Sequence, residues 1–538
     1  MRRPDPRAML AALLFASPLA LAAPAAKAPE REFTYRTVAG DTLIGIAARF
    51  LVDPSDWKAL QARNRVADPR AIPVGTAIRM PVSRMRAAPR PLEVEAVSGA
   101  AQSAAGRLAP GAKVSEGDRV RTGADGFVTL RLADGSRITV PAASEVKIDK
   151  ARSYGNASVA ETVLDLVTGR VDATARPQGV ADVLEVRSRR AVTAVRGTRF
   201  RVASLDADAV ATEVVEGRVG VNEESVGKPL DLAGGFGTRV EAGREPLPPV
   251  KLLPAPDASR VPALVERTLV RLPFGAVAGA TGYRAQVARD AAFRQVVAEA
   301  RGPASEAKFA DLPDGDYHLR LRAVDGLGLE GLESAKAFRL KARPEPPLIA
   351  GPADRAKLPA AGVKAAWSAS TEAAHYRLQA SARADFATLA IDESRVEGTG
   401  LALERLGRGE WHWRVASVRS DGDRGPWSDP RRFTIVPDPP QPKAGPAVDG
   451  KLAFEWGGEA NQRYEFQLAA DAAFASPLVE RTVDEPRIAF AEPGTGEYFF
   501  RIRAVDADGF RGPWSAAQRL VVAPSPWWLL VLAILVVL

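Results

Sequence analysis

Side chains that commonly carry out chemistry are scarce in this chain of 538 residues. It has no cysteine and three histidines, which are His318, His375 and His412. The sequence contains no nucleophile elbow, no phosphate-binding loop and no residues at the spacing of metal ligands. The acidic residues are numerous but scattered, so a carboxylate pair could form a hydrolytic site only if folding brought two of them together. We therefore expect no catalytic residue, no metal ion and no cofactor, and we do not expect an enzyme.

Arginines lie close together in one stretch of the chain, at positions Arg187, Arg189, Arg190, Arg196, Arg199 and Arg201. One hypothesis is that they contact an anionic polymer or a partner protein. The alternative follows from strand geometry, because alternation turns Arg199 and Arg201 outward while Phe200 and Val202 pack inward. We expect the alternative. The net charge of +8, from 73 basic and 65 acidic residues, is small for this length and does not favour nucleic-acid binding.

Residues 33–82 have the pattern of a small module with two strands and two helices. Phe33–Val38 alternates as a strand does, and Ala77–Met80 returns as its partner. Between them, four apolar residues share one face of a predicted helix, namely Leu43, Ile46, Ala47 and Phe50. Asp53-Pro54 predicts the start of a second helix, with a buried face formed by Trp57 and Leu60. The module is too small to be stable unless its helices cover one face of the strands.

The same segment resembles a LysM domain, a small module that binds polymers of N-acetylglucosamine such as peptidoglycan. The matching positions are Tyr35, Val38, Gly40-Asp41-Thr42-Leu43, Ile46-Ala47, Phe50, Trp57, Leu60, Asn64, Pro73-Val74-Gly75, Ile78 and Pro81. The resemblance implies a shallow sugar-binding groove between two loops. The residues implied to bind glycan are Gly40, Asp41, Thr42 and Leu43 in the first loop and Ala71, Ile72, Pro73 and Val74 in the second. Asp41 and Thr42 also have the simpler interpretation of helix caps.

Residues 94–242 carry strand signals at short intervals and no sustained helical period, which predicts an all-β domain. The sequence there resembles a FecR domain, in the stretches Gly117–Gly123, Leu132–Ser136, Ala194–Val202 and Val215–Val219. The resemblance implies a periplasmic domain, which in some members relays a signal from an outer-membrane transporter to a sigma factor. Those members have a cytoplasmic segment and a transmembrane helix ahead of the domain. This chain has a LysM-like module there instead, so we expect the domain without the pathway.

The second half of the chain contains a threefold repeat. The recurring segments begin at Gly315, Gly409 and Gly496, and each follows a tyrosine that is preceded by another aromatic residue: Phe274 and Tyr283, Trp367 and Tyr376, Trp456 and Tyr464. Alternating strands around one buried aromatic residue predict β-sandwiches. The three units, at residues 262–342, 352–437 and 446–522, resemble fibronectin type III domains.

The first repeat departs from the other two near its last strand. The second and third repeats have the sequence Gly-Pro-Trp-Ser there, at residues 425–428 and 512–515. The first repeat has Gly331-Leu332-Glu333-Ser334 in the same place. We therefore expect the edge of the first repeat to be built differently.

The two ends of the chain predict export and membrane contact. Residues 1–22 have the pattern of a signal peptide, with early arginines, an apolar run and the cleavage pattern Ala20-Leu21-Ala22. An exported protein without cysteine fits a bacterial envelope. Residues 527–538 form an apolar tail whose helical length of about 18 Å is shorter than the ~30 Å hydrocarbon core. An imperfect anchor, a truncated segment and docking on protein all fit the tail, and we expect membrane contact.

Together these features predict a multidomain, mainly β protein with a βααβ LysM module, an all-β FecR-like domain and three fibronectin-like β-sandwiches. The expected function is non-catalytic: binding of peptidoglycan, or another N-acetylglucosamine polymer, in the periplasm or cell envelope, and presentation of the FecR-like domain for scaffolding or sensing. An envelope protein is the expected partner of the FecR-like or fibronectin-like domains. The alternatives are a FecR-type signal-transduction regulator and, second, a cell-wall-modifying enzyme.

Overall fold

The computed structural model of the protein describes residues 30–155, 159–177, 179, 181–195, 197–206, 208–223, 226–446 and 448–524. The predicted signal peptide, the predicted apolar tail and Arg196 lie outside these residues. Among the described residues, no helix is long and apolar enough to cross a membrane. The fold is mainly β with helices in the N-terminal module, which confirms the predicted fold class.

The described chain forms two compact units. The first contains the residues up to Ser259 together with Phe274–Ser305 and His318–Lys336. The second contains Arg260–Pro273, Glu306–Tyr317 and the residues from Ala337 onward. The segments of the first repeat are therefore divided between the two units.

The N-terminal module has the predicted order of two strands and two helices. Its elements are β1 (Glu32–Arg36), α1 (Leu43–Phe50), a 3₁₀ turn (Pro54–Asp56), α2 (Trp57–Asn64) and β2 (Ala77–Pro81), with β1 and β2 antiparallel. Thr42 caps α1, because its hydroxyl accepts a hydrogen bond of 3.0 Å from the backbone of Gly45. The four predicted residues of the apolar face of α1 are all buried. On α2, Leu60 is buried as predicted, whereas Trp57 is only partly buried against the same core.

The module packs directly on the all-β domain that follows it. Met85, Val159 and Ala181 belong to the same buried cluster as the module's own core residues. At the edge of this contact, Arg31 lies 3.0 Å from the carboxylate of Glu161. The LysM-like module is therefore fixed to the all-β domain through a shared apolar core.

The all-β domain is built from two long sheets. Its strands are β3 (Ala87–Pro89), β4 (Leu92–Ser98), β5 (Ala101–Ser103), β6 (Gly106–Arg107), β7 (Lys113–Val114), β8 (Arg119–Thr122), β9 (Phe127–Arg131), β10 (Arg137–Val140), β11 (Glu145–Tyr154), β12 (Val159–Thr168), β13 (Arg170–Thr174), β14 (Val183–Ser188), β15 (Val192–Val195), β16 (Arg199–Ser204), β17 (Ala209–Glu216), β18 (Arg218–Glu223), β19 (Val226–Ala233), β20 (Phe236–Glu241) and β21 (Val250–Lys251). One sheet has the order β21-β20-β17-β16-β13-β10-β9-β4-β7, and the other β19-β18-β15-β14-β12-β11-β8-β5-β6, with β3 beside β11. Alternating apolar residues from both sheets form one core.

The three repeats supply the remaining strands. Those of the first repeat are β22 (Leu264–Val265), β23 (Val270–Pro273), β24 (Gly282–Ala288), β25 (Val296–Gly302), β26 (Glu306–Phe309), β27 (Gly315–Val324) and β28 (Glu330–Leu340). Those of the second are β29 (Ile349–Gly351), β30 (Ala356–Pro359), β31 (Lys364–Trp367), β32 (His375–Ser381), β33 (Ile391–Val396), β34 (Gly400–Ala402), β35 (Gly409–Val418) and β36 (Arg431–Val436). Those of the third are β37 (Lys443–Ala444), β38 (Lys451–Glu455), β39 (Arg463–Ala469), β40 (Val479–Val483), β41 (Arg487–Ala491), β42 (Gly496–Val505) and β43 (Gln518–Val522).

The second and third repeats are β-sandwiches. The second packs the sheet β29-β31-β34 against β30-β36-β35-β32-β33, and the third packs β37-β38-β41 against β40-β39-β42-β43. The aromatic pairs predicted from the repeat are in contact, with ring centroids 5.5 Å apart for Trp367 and Tyr376 and also for Trp456 and Tyr464. Phe274 and Tyr283 make the same edge-on contact in the first repeat, at 4.9 Å.

Candidate functional site

The structure brings the two predicted glycan-binding loops together. The backbone N–H of Leu43 donates a 2.8 Å hydrogen bond to the carbonyl of Pro69, just ahead of the second loop. The hydroxyl of Thr37 donates to the carbonyl of Pro73 at 2.7 Å, and the carbonyl of Thr37 accepts from Gly75 at 2.8 Å. The relative position of the two loops is therefore set by hydrogen bonds that involve the loops and the residues beside them.

The eight predicted glycan-binding residues differ in what they present to solvent. Those that are exposed are Gly40, Ala71, Pro73 and Val74, and those that are partly exposed are Asp41, Thr42 and Ile72. Leu43 is buried, and its backbone N–H already donates to the carbonyl of Pro69. A ligand between the loops would therefore meet mainly backbone and small or apolar side chains.

Asp41 organises the first loop from the inside. Its carboxylate accepts hydrogen bonds of 2.8 Å from the hydroxyl of Tyr35 and 2.8 Å from the backbone of Val38, and it lies 2.5 Å from the guanidinium of Arg49. Burial alone would raise the pKa of Asp41, but these donors lower it below the ordinary value. Asp41 is thus held as a charged structural anchor, and Thr42 is the residue that caps the helix.

Apolar side chains frame the space between the loops. Val38 and Ile44, on either side of the first loop, are 54% and 40% exposed, and Val74 in the second loop is 69% exposed. Exposed apolar side chains beside exposed backbone suit a ligand that has both methyl groups and amides. No local sequence signal marks Ile44 as a contact residue, because the helix periodicity places it simply outside the buried face.

A second concentration of functional groups lies where the all-β domain meets strands of the first repeat, within the first compact unit. Ion pairs connect its members, which are Arg170, Asp172, Arg199, Arg201 and Glu213 from the domain and Arg284, Glu299, Arg320, Arg322, Glu330 and Glu333 from the repeat. We call this set the joint cluster. Its centre is Glu330, which is fully buried and lies 2.5 Å from Arg170, 2.9 Å from Arg322 and 3.1 Å from Arg284.

The joint cluster corrects the expectation for Arg199 and Arg201. Phe200 and Val202 point into the domain core as predicted, so the alternation itself is confirmed. However, Arg201 is 3% exposed, and one of its nitrogens donates to the backbone carbonyls of Glu330 and Gly331. Arg199 pairs with Glu333. The outer face of β16 is covered by the first repeat, so Arg201 is excluded from solvent, whereas Arg199 stays partly exposed.

Burial and neighbouring charges shift the pKa values of two carboxyl groups of the joint cluster, those of Glu213 and Glu333, in opposite directions. Burial raises the pKa of Glu213 to about 7, and the charge of its nearest guanidinium, that of Arg201 at 3.6 Å, offsets only part of this effect. Burial also opposes the ionisation of Glu333, but the charges of Arg322 and Arg320 hold the pKa of its carboxyl at about 2. Glu333 is therefore a permanent anion, whereas Glu213 titrates near neutral pH.

In the part of the chain that the structure describes, no group of three or more histidines and carboxylates is arranged to hold a metal ion. The carboxylates of the joint cluster lie beside arginines instead. The arrangement of the two sites suits recognition, by neutral hydrogen bonds and apolar contact at the two loops and by charge pairing at the joint cluster.

Comparison with known proteins assigns families to two segments. The model of the LysM domain matches residues 35–81, and the model named FecR protein matches residues 118–220. No curated protein matches the chain.

Solved structures also align with parts of the chain. A protein described as an anti-sigma factor from Parabacteroides distasonis aligns at 18% identity over 25% of this chain and 59% of its own length, with a TM-score of 0.21. The FN1–FN3 domains of chicken CNTN1 align at 15% identity over 50% of this chain and 99% of theirs, with a TM-score of 0.19. A segment of two fibronectin type III domains from chicken tenascin aligns at 15% identity over 33% of this chain and 100% of its own, with a TM-score of 0.21. From the family matches, the chain carries a LysM domain followed by a FecR domain.

Proposed function

We propose that this protein is a non-catalytic component of the bacterial cell envelope that binds peptidoglycan through its LysM domain and presents its FecR domain for scaffolding or sensing. The observation that carries the proposal is the pair of neighbouring loops, residues 40–43 and 71–74, with exposed residues between exposed apolar side chains. Hydrogen bonds from Leu43 to Pro69 and from Thr37 to Pro73 hold the two loops in place. LysM domains generally bind glycans that contain N-acetylglucosamine. Backbone groups can hold the acetamide of such a sugar, and the apolar side chains can pack on its methyl group.

The contact between the LysM and FecR domains supports a role in presentation. Because Met85, Val159 and Ala181 share one core with the LysM helices, a LysM domain bound to the cell wall would hold the FecR domain in a fixed orientation. A flexible linker would leave that orientation free. The proposed protein therefore positions its FecR domain at a defined angle to the glycan.

The test is co-sedimentation of the intact mature protein with purified peptidoglycan. We expect saturable binding that persists when the salt concentration is raised to about 0.5 M, because neutral hydrogen bonds are not screened as ion pairs are. Val74→Asp places a charge between the loops and should weaken binding by about tenfold or more.

The matched control is Val52→Asp. Val52 is 67% exposed and belongs to the same domain, but it follows the end of α1, about 12 Å along the helix from the first loop. It should leave binding unchanged. Equal binding by the wild type and Val74→Asp would contradict the assignment of the groove, and binding lost in salt would point to the basic residues instead.

The FecR match favours one alternative, a regulator that passes a signal to an envelope or membrane partner. Cross-linking in intact cells followed by identification of the captured protein distinguishes the two functions. Capture of a transporter together with a sigma-factor regulator would support signalling, whereas capture of wall-synthesis or secretion proteins would support scaffolding.

A further inference from the structure

Each of the later repeats holds one arginine between two aromatic rings. In the second repeat, the guanidinium of Arg414 lies 4.1 Å from the ring centre of Phe386 and 4.5 Å from that of Trp427. In the third, Arg501 lies at the same distances, 4.1 Å and 4.5 Å, from Phe474 and Trp514. The tryptophan of the Gly-Pro-Trp-Ser sequence thus covers one face of the arginine in both repeats.

The first repeat keeps the arginine and loses one of the two rings. Arg320, at the position of Arg414, stacks on Phe293 at 4.3 Å. Glu333 occupies the position of Trp427, and its carboxylate pairs with Arg199 and Arg322. Among the residues that the structure describes, Phe293 is the one ring that stacks on Arg320.

A cavity of about 410 Å³ lies at this place, between the FecR domain and the strands of the first repeat that belong to the same compact unit. The domain contributes β9, β10, β13, β16 and β17, and the repeat contributes Arg320, Arg322, Glu333 and the turn that contains Phe293. Its volume is in the range of small-molecule sites in proteins, about 300–1,000 Å³.

Positive charge exceeds negative charge on the cavity walls, which carry six arginines but three carboxylates: Arg137, Arg199, Arg201, Arg294, Arg320 and Arg322 against Asp172, Glu216 and Glu333. Glu95 and Asp290, outside the walls, pair with Arg137 and Arg294. Among the described residues, no carboxylate lies within hydrogen-bond distance of Arg201 or Arg320.

Arg320 is the cation that this arrangement leaves least neutralised. Its side chain is 8% exposed, and two of its nitrogens donate to the amide oxygen of Gln286, at 3.1 Å and 2.6 Å. The nearest carboxylates, those of Asp172 and Glu333, lie 3.9 Å away. Burial and the neighbouring charge of Arg322 lower the pKa of Arg320 to about 9, as expected for a buried cation in a locally positive field.

We propose that this cavity binds a small oxyanion, a free phosphate or a small carboxylate, with Arg320 as its main charge partner and Arg199 at the rim. Guanidinium groups match both anions, since each presents oxygen acceptors in a geometry that arginine can bridge. The bound anion would neutralise the excess charge of the joint cluster, and the FecR domain and first repeat would share one ligand.

The experiment is calorimetric titration of the intact mature protein with inorganic phosphate and, separately, with succinate, against sodium chloride at the same ionic strength. We expect saturable binding of one of the two anions beyond the chloride control, and the tighter one identifies the chemistry. Arg320→Gln should weaken binding by about tenfold or more. Arg414→Gln makes the same change at the matching position of the second repeat and should leave binding unchanged.

A second variant tests the cavity independently in case the Arg320→Gln protein does not fold. Thr139→Phe places a ring at the cavity wall from β10 without removing any member of the joint cluster, and it should also reduce binding. The proposal is overturned if neither anion binds more tightly than chloride, or if a folded Arg320→Gln or Thr139→Phe protein binds as the wild type does. Retained peptidoglycan binding in these variants separates this result from the function of the LysM domain.

Discussion

Arg322 of the first repeat donates a 3.0 Å hydrogen bond to Asp172 of the FecR domain, although the two residues are 150 positions apart. Arg322 is 2% exposed, so the two segments meet through buried charges and not only through apolar contact. Buried ion pairs add little net stability as pairs, but loss of one partner leaves an uncompensated charge in a dry environment. The contact is therefore specific and sensitive to single substitutions.

Replacement of Arg322 by Met should destabilise the first compact unit by about 3–5 kcal/mol, because Asp172 and Glu333 lose a buried partner. Hydrogen exchange in β13, β16 and β27 measures the effect directly. Arg503→Met is the matched control in the third repeat, where the arginine pairs with Glu465 and is 22% exposed; we expect a loss of about 1 kcal/mol there. Equal losses of stability in Arg322→Met and Arg503→Met would contradict the prediction that the joint cluster is especially sensitive to loss of one partner.

Glu213 should make the stability of the same unit depend on pH near neutrality. Burial raises its pKa from the ordinary 4.5 to about 7, so the folded form binds this proton more tightly than the unfolded chain does. The contribution of Glu213 to stability is therefore complete below about pH 4.5 and is lost as the pH rises through 7. Glu213→Gln cannot ionise, and it should be more stable than the wild type at pH 8 by about 2 kcal/mol.

Thermal unfolding of both proteins at pH 5 and pH 8 checks this prediction. The wild type should lose more stability than Glu213→Gln between the two values. If the two proteins lose the same stability between pH 5 and pH 8, groups other than Glu213 control the pH dependence.

Trp456→Ala should destabilise the third repeat by roughly 3–5 kcal/mol, as expected for truncation of a large buried aromatic residue. Trp456 is 8% exposed and packs edge-on against Tyr464. Hydrogen exchange in β39 and β42 reports on this repeat, while exchange in β32 and β35 of the second repeat serves as the internal control. A wild-type exchange pattern in the variant would contradict the assignment of a separate sandwich core.

Gly40→Val should weaken peptidoglycan binding without unfolding the protein. Gly40 has a φ of +85°, and no neighbouring atom lies within 4 Å of the position that a Cβ would occupy, so the cost comes from backbone strain of about 1–2 kcal/mol and not from a clash. The loop should relax away from its binding geometry and lower affinity by about tenfold. Gly450→Val in the third repeat, where φ is +70° and space is equally open, should not change binding.

If the protein is exported, cleavage of the signal peptide should shorten its N-terminus. The charged start and the small-x-small pattern at Ala20-Leu21-Ala22 should direct cleavage near Ala22. N-terminal sequencing of protein recovered from the envelope fraction checks this, and an intact Met1 in that fraction would contradict it.

The sequence by itself determined the local elements and the families. The spacing of Leu43, Ile46, Ala47 and Phe50 specified the buried face of α1, because helical periodicity depends on residues within two turns. The aromatic pairs of the repeats were equally clear, since the two residues of each pair lie close together in the sequence and meet across the two sheets of one small sandwich. The two loops of the LysM domain came from the family resemblance, and only the structure showed the hydrogen bonds that hold them in place.

Tertiary structure alone decided what covers the outer face of β16. Alternation correctly separated Arg201 from Phe200 and Val202, but it cannot distinguish a solvent-facing side chain from one that faces another domain. Arg201 donates to Glu330, which lies 129 positions away, and no local pattern encodes such a contact. The substitution of Glu333 for the tryptophan of the other repeats was visible in the sequence. Its meaning emerged only when folding placed that carboxylate beside Arg199 and Arg322, because a buried charge is stabilised by partners that the fold must bring to it.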